Sequence, residues 1–131
     1  ISEDKVDFLL GPYSSGITIP DSLIARRYRV PMVEGGGASG RIFSRGNKYI
    51  FGLLPAAGEY FKSTLEFLQT VSPRPKTIAI LFADDKFDIS VAEGTKKIAK
   101  NMGYEIVIYE KYAEGTSDFT SALTKIKAKN P

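Results

Sequence analysis

Residues 30–41 read VPMVEGGGASGR, in which Gly35, Gly37 and Gly40 spell a literal G-x-G-x-x-G after a short apolar run. That spelling marks a dinucleotide-binding turn when three conditions hold: a strand before it, a long helix opened by it, and an acidic residue at the end of the next strand. The strand is present at residues 30–33. The helix is not, because residues 41–47 are too few and end in Gly46 and Asn47. The acidic residue is also missing, since Glu59 falls in a helical pattern rather than at a strand end. Two readings remain. The glycines either form a permissive surface loop or let the backbone approach a small ligand.

The flanking pattern favours an open α/β sheet. Residues 6–10 form a short apolar run stopped by Gly11 and Pro12, which reads as a buried strand. Ser14 and Ser15 offer capping side chains, and Leu23, Ile24, Arg27 and Tyr28 carry a helical period behind them. Pro20 sits early in that pattern, so this helix is expected to start late or to kink. Residues 48–53 are extended and stop at Pro55. A helical face of Tyr60, Phe61, Thr64, Leu65 and Leu68 follows. Residues 77–82, TIAILF, are apolar on both faces, as in parallel sheets covered on both sides. Asp84, Asp85 or Asp88 caps the next helix, Gly103 ends it, and residues 105–109 make another strand. Ser117 or Asp118 opens a last helix with Phe119, Leu123 and Ile126 inward. The expected order is β-α-β-β-α-β-α-β-α, with parallel strands and right-handed crossovers.

Composition removes much chemistry. The chain has 131 residues, 43% hydrophobic and 25% charged, with no cysteine and no histidine. Disulfides, thiolate metal sites, Cys nucleophiles, Ser-His dyads and imidazole bases are therefore excluded. Net charge is +3, but the lysine groups at 96, 97, 100 and at 125, 127, 129 read as solvated helix faces. No aromatic-plus-basic platform accompanies them, so no nucleic-acid partner is expected. Asp84 and Asp85 at a strand end are a motif for Mg²⁺ or phosphate acceptance, yet they read better as caps of the next helix. No metal and no cofactor are expected, and the chain is not read as an enzyme.

Ligands in open α/β sheets bind beyond the carboxyl ends of the strands. Two strands here end in such turns: Gly11, Pro12, Tyr13, Ser14, Ser15, Gly16, and Gly35, Gly36, Gly37, Ala38, Ser39. Free N–H groups in the turns favour an anion, and serine hydroxyls both donate and accept. Side by side, the turns would form a small polar cradle. Ser15 and Ser39 are then expected within about 10 Å, roughly two strand spacings. Plain helix capping accounts equally for Ser14 and Ser15.

Four segments in order carry a resemblance: VDFLLGPYSSGITIPDSLIARRYRVPMVEGGGAS, YIFGLLP, PKTIAILFADDKFDISVAEGTKKIAKNMGYEIVIYEKY and GTSDFTSALTKIKAKNP. Together they resemble the type I periplasmic binding proteins of the branched-chain amino acid ABC transporter class. The resemblance implies parallel-sheet, Rossmann-like βα lobes, incomplete here, with residues 1–54 part of lobe one and 55–131 part of lobe two after an inter-lobe crossover. It implies a solute-binding component that clamps an amino acid, amide or small acid by hinge closure. It also implies a membrane permease partner and a periplasmic or extracytoplasmic location. A ligand-sensing domain of a receptor or transcriptional regulator is the alternative on the same fold. Family positions place the ligand carboxylate on Ser15 and Ser39, its ammonium on the Gly37 carbonyl, and an aromatic cover at Phe87. Tyr13 adds an aromatic wall, and Ser14 and Ala38 complete the turns. A helix-start staple is the lesser alternative for Phe87. Relatives are much longer, which implies further strands and an acidic ammonium anchor after Pro131. Uncovered sheet edges would then favour self-association.

Overall fold

The computed structural model describes all 131 residues, which divide into two compact units, Ile1–Ala57 and Gly58–Pro131. The first unit contains β1 (Leu9–Leu10), α1 (Ser15–Tyr28), β2 (Met32–Glu34), α2 (Gly40–Phe43) and β3 (Ile50–Gly52). Its strands form one parallel sheet in the order β1-β2-β3, with Leu9 opposite Met32 and Met32 opposite Ile50. Parallel neighbours need a crossover: α1 makes the first, while the short α2 lies in the second. The core is Ala25, Met32, Ile42 and Ile50, flanked by Leu9, Ile19 and Phe43.

α1 departs from its sequence pattern in two ways. It begins at Ser15 and runs through Pro20, so the late start, one of the two expected outcomes, is not what occurs. Its buried face is Ser15, Thr18, Ser22 and Ala25, whereas Leu23, Ile24 and Tyr28 are exposed. Polar groups on the buried face are satisfied locally: the Ser22 hydroxyl donates to the Ile19 carbonyl at 2.7 Å and Thr18 to the Ser14 carbonyl at 2.8 Å.

The second unit contains a 3₁₀ turn spanning the boundary (Ala57–Glu59), α3 (Lys62–Leu68), β4 (Thr77–Ala83), α4 (Lys86–Asn101), β5 (Glu105–Tyr112) and α5 (Thr120–Lys129). β4 and β5 pair in parallel, with an irregularity between Ile78 and Ala79. Asp85 caps α4, its carboxylate accepting from the N–H groups of Phe87 (2.7 Å) and Asp88 (3.3 Å). Gly103 ends that helix at φ +83°. Leu65, Ala99 and Tyr104 form the core with Leu68, Ile78, Ile98, Met102 and Ile106 around it. The Tyr104 hydroxyl donates to the Leu65 carbonyl at 3.0 Å, so its polar tip is satisfied while its ring is buried.

α4 approaches the 3₁₀ turn backbone to backbone. A Cβ on Gly94 would lie 2.2 Å from the Gly58 Cα and carbonyl oxygen, so glycine is required there. Lys96 is not simply solvated: its ammonium sits 4.0 Å from the Tyr109 ring centroid. The inward placement expected for Leu123 is wrong. α5 buries no residue and Leu123 is exposed, because a two-stranded sheet offers too little surface to cover that face.

Candidate functional site

The register of β1 on β2 brings the two turns together. Leu10 lies opposite Val33, so the two strands end within one residue of each other, and Tyr13 and Gly36 form one further parallel bridge. The contact is tight. A Cβ on Gly36 would lie 2.8 Å from the Tyr13 Cα, and one on Gly11 would lie 2.7 Å from the Glu34 Cβ. Tyr13 itself is exposed.

Ser15 and Ser39, 24 residues apart, meet directly: the Ser39 N–H donates to the Ser15 hydroxyl oxygen at 3.0 Å. Both residues are buried. Ser39 caps α2, its hydroxyl oxygen accepting from the Arg41 N–H at 3.4 Å. Ser14 caps α1 in the same way, accepting from the Ile17 N–H at 3.4 Å. Ser14 does so at φ +84°, a conformation that side chains rarely adopt. Strain of this kind costs about 1–3 kcal/mol and persists only where the surroundings impose it. Ala38 is buried, and its carbonyl accepts from the Ala57 N–H at 2.8 Å, which ties down the far end of the glycine turn.

The residue that organises this cluster is Glu34, which has no counterpart among the sequence expectations. It is the last residue of β2 and fully buried. One carboxyl oxygen, Oε2, accepts from the N–H groups of Gly36, at 3.2 Å, and of Gly37, very closely. It also lies 3.3 Å from the Thr18 hydroxyl. The other oxygen, Oε1, is buried without a partner. Gly37 is confined accordingly: a Cβ there would meet Thr18 Oγ1 at 2.6 Å, Glu34 Oε2 at 2.8 Å and Ile42 Cδ1 at 2.8 Å. The anion-binding capacity expected of the glycine-turn N–H groups is thus corrected. At Gly36, Gly37 and Ser39 they are engaged inside the protein. A carboxyl-bearing residue directly before three glycines was the available signal, since only glycine lets successive amides turn back onto the preceding side chain.

Phe87 lies in the second unit, in the first turn of α4, where its ring meets Tyr60 edge to face at 5.5 Å. Asp88, next to it, has a carboxyl pushed up to about 6, first by burial, then by its hydrogen bond to Asp85 and the negative charges of Asp85 and Glu114. Asp84 does not cap the helix but pairs with Lys111 at 2.7 Å.

Comparison with known proteins agrees with this architecture. A family model described as "Periplasmic binding protein" matches residues 1–131. The Leu/Ile/Val-binding protein homolog 7 of Brucella abortus (strain 2308) is 26% identical over 135 aligned residues, covering 98% of this chain and 34% of that protein. An amino acid binding protein of Pseudomonas aeruginosa is 24% identical over the same shares. Among solved structures, an extracellular ligand-binding receptor from Rhodopseudomonas palustris HaA2 matches with a TM-score of 0.85 at 20% identity, over 99% of this chain and 36% of that one. A solute binding protein of an ABC transporter from Rhodopseudomonas palustris BisB5, in complex with 3,4-dihydroxy benzoic acid, matches with a TM-score of 0.81 at 20% identity, over 98% and 35%. The fold is that of type I periplasmic binding proteins, and the chain spans about a third of the length of the curated relatives it matches.

Proposed function

Because the chain belongs to the periplasmic binding protein family, we propose that it supplies the ligand-holding turns of a solute-binding protein serving an ABC importer, with an amino acid or a related small acid as the solute. One observation carries this reading: the hydrogen bond from Ser39 to Ser15, which joins two turns at the ends of adjacent parallel strands. Strand ends of this kind are where open α/β sheets take ligands. The buried hydroxyls at the joint are of the type that holds a carboxylate. Ser15 and Ser39 take the ligand's carboxylate in this reading, with Ser14, Gly37 and Ala38 completing the turn and the Gly37 carbonyl accepting from an ammonium where one is present. Tyr13 and Phe87 are aromatic walls, Phe87 arriving on a second lobe by hinge closure. The parts divide as residues 1–54 for the first lobe and 55–131 for the second. The protein then works outside the cytoplasm and hands its solute to a membrane permease. Its role is binding, not catalysis.

The names of similar proteins supply the test ligands. One is a Leu/Ile/Val-binding homologue, and another was solved with a dihydroxylated aromatic acid. Calorimetric titration of the intact protein with L-leucine, 3,4-dihydroxybenzoate and urea separates the amino acid, aromatic acid and amide classes. Saturable binding of one of them, weakened in Ser39→Ala, supports the reading. Binding unchanged in both Ser15→Ala and Ser39→Ala removes these residues from the site.

A further inference from the structure

We propose that Glu34 is the positioning residue of the glycine turn: its carboxyl group latches the Gly36 and Gly37 amides inward and so fixes the backbone on which Ser39 is presented to Ser15. The proposal deepens the function proposed above, since it rests on that turn being the ligand-holding one.

The geometry is one-sided. Oε2 receives the two glycine N–H groups and lies beside the Thr18 hydroxyl, while Oε1 has no partner in a fully buried setting. A buried carboxyl group with an unsatisfied oxygen is costly. A residue placed for packing alone would be apolar at this depth. The Glu34 side chain also fills the space that Gly11 leaves, touching the first turn as well as the second. One residue therefore closes on both turns. Thr18 supports it from α1. Its single proton is taken by the Ser14 carbonyl at 2.8 Å, so it meets Oε2 chiefly as a steric and dipolar neighbour.

This arrangement bears on ligand chemistry. With the Gly36 and Gly37 amides committed to Glu34 and the Ser39 amide to Ser15, a ligand carboxylate is left to the serine hydroxyls rather than to those three backbone donors.

Two variants separate latching from packing. Glu34→Gln keeps an acceptor oxygen for the glycine amides, and Glu34→Met keeps the length without one. In the unsubstituted protein, amide hydrogen exchange followed by NMR is expected to be slowed at Gly36 and Gly37 roughly tenfold or more relative to the unfolded chain. Glu34→Gln should retain most of that protection, whereas Glu34→Met should lose it and weaken binding of whichever probe, L-leucine or 3,4-dihydroxybenzoate, the intact protein takes. Unprotected Gly36 and Gly37 amides in the unsubstituted protein overturn the proposal. So do amides fully protected in Glu34→Met. If Glu34→Met does not fold, Glu34→Gln decides, and loss of protection in that variant also overturns it. Protected amides without binding of either probe would leave the latch standing and count only against the proposed function.

Discussion

The two units solve the same problem with opposite materials. Unit one hangs on strands of two or three residues, and Ser15, Thr18, Ser22, Glu34 and Ser39 are buried beside a core of four residues. Unit two has strands of seven and eight residues and buries only Ser90 and Thr95 as polar groups. Short strands supply few ladder hydrogen bonds, so unit one gains its definition from side chain to backbone bonds across the strand ends. Unit two is defined by apolar packing and by one backbone-to-backbone approach. The difference bears on the proposed ligand-holding turns. Polar groups are kept buried where they shape a turn, and apolar packing suffices where they do not.

If this contrast is right, unit two should respond most to volume. Gly94→Ala forces a methyl group onto the Gly58 backbone, neither side of which is a flexible side chain. A loss of about 3 kcal/mol is expected on chemical denaturation. A loss under about 1 kcal/mol would mean that α4 and the 3₁₀ turn slide apart freely, and the packing account of unit two would fail.

Unit one should respond to polar deletions that change volume little. Ser15→Ala removes the hydroxyl that accepts from the buried Ser39 N–H, an expected cost of roughly 1–3 kcal/mol. Thr95→Val in unit two gives the control, since it removes a buried hydroxyl that has no hydrogen-bond partner. Equal effects at both positions would erase the contrast. Ser39→Ala removes the cap on α2, for about 1 kcal/mol of stability, and one proposed carboxylate donor, for roughly 1–3 kcal/mol of ligand affinity. Denaturation and calorimetry measure the two separately.

The smallest expected effect concerns pH. Asp88, raised to about 6, binds its proton more tightly in the folded protein than in the unfolded chain, where the value is 3.8. Between those values the folded state carries more protons, so stability falls as pH rises through the window, and the cost is fully present above it. Asp88→Asn should therefore raise the melting temperature by a few degrees at about pH 7.5 and leave it nearly unchanged at about pH 3.5. An equal shift at both pH values would assign the effect to packing instead.

Much of the fold was legible in residue order. TIAILF marks a parallel strand, although only Ile80 of its six residues is buried where an apolar run suggests cover on both faces; Asp85 and Gly103 bracket α4 as cap and stop, and the elements alternate as parallel βα structure requires. These signals are local, carried by side chains that act on their own backbone or by runs that only a covered strand tolerates. The pairing of Ser15 with Ser39 was reachable because two glycine-bearing turns at the ends of neighbouring parallel strands must lie close. Other features were not reachable. Periodicity pointed to Leu23 and Ile24 on α1, but the fully buried positions are Ser15, Thr18, Ser22 and Ala25, with Ile19 packed partly against the core. Leu123 looked inward by the same logic and is exposed, because burial depends on how wide a sheet lies beneath the helix. Glu34 looked like an ordinary acidic residue ahead of a loop. Only the tertiary structure buries it between Gly11, Thr18 and Gly37, where backbone amides from a turn, rather than water, satisfy one of its oxygens.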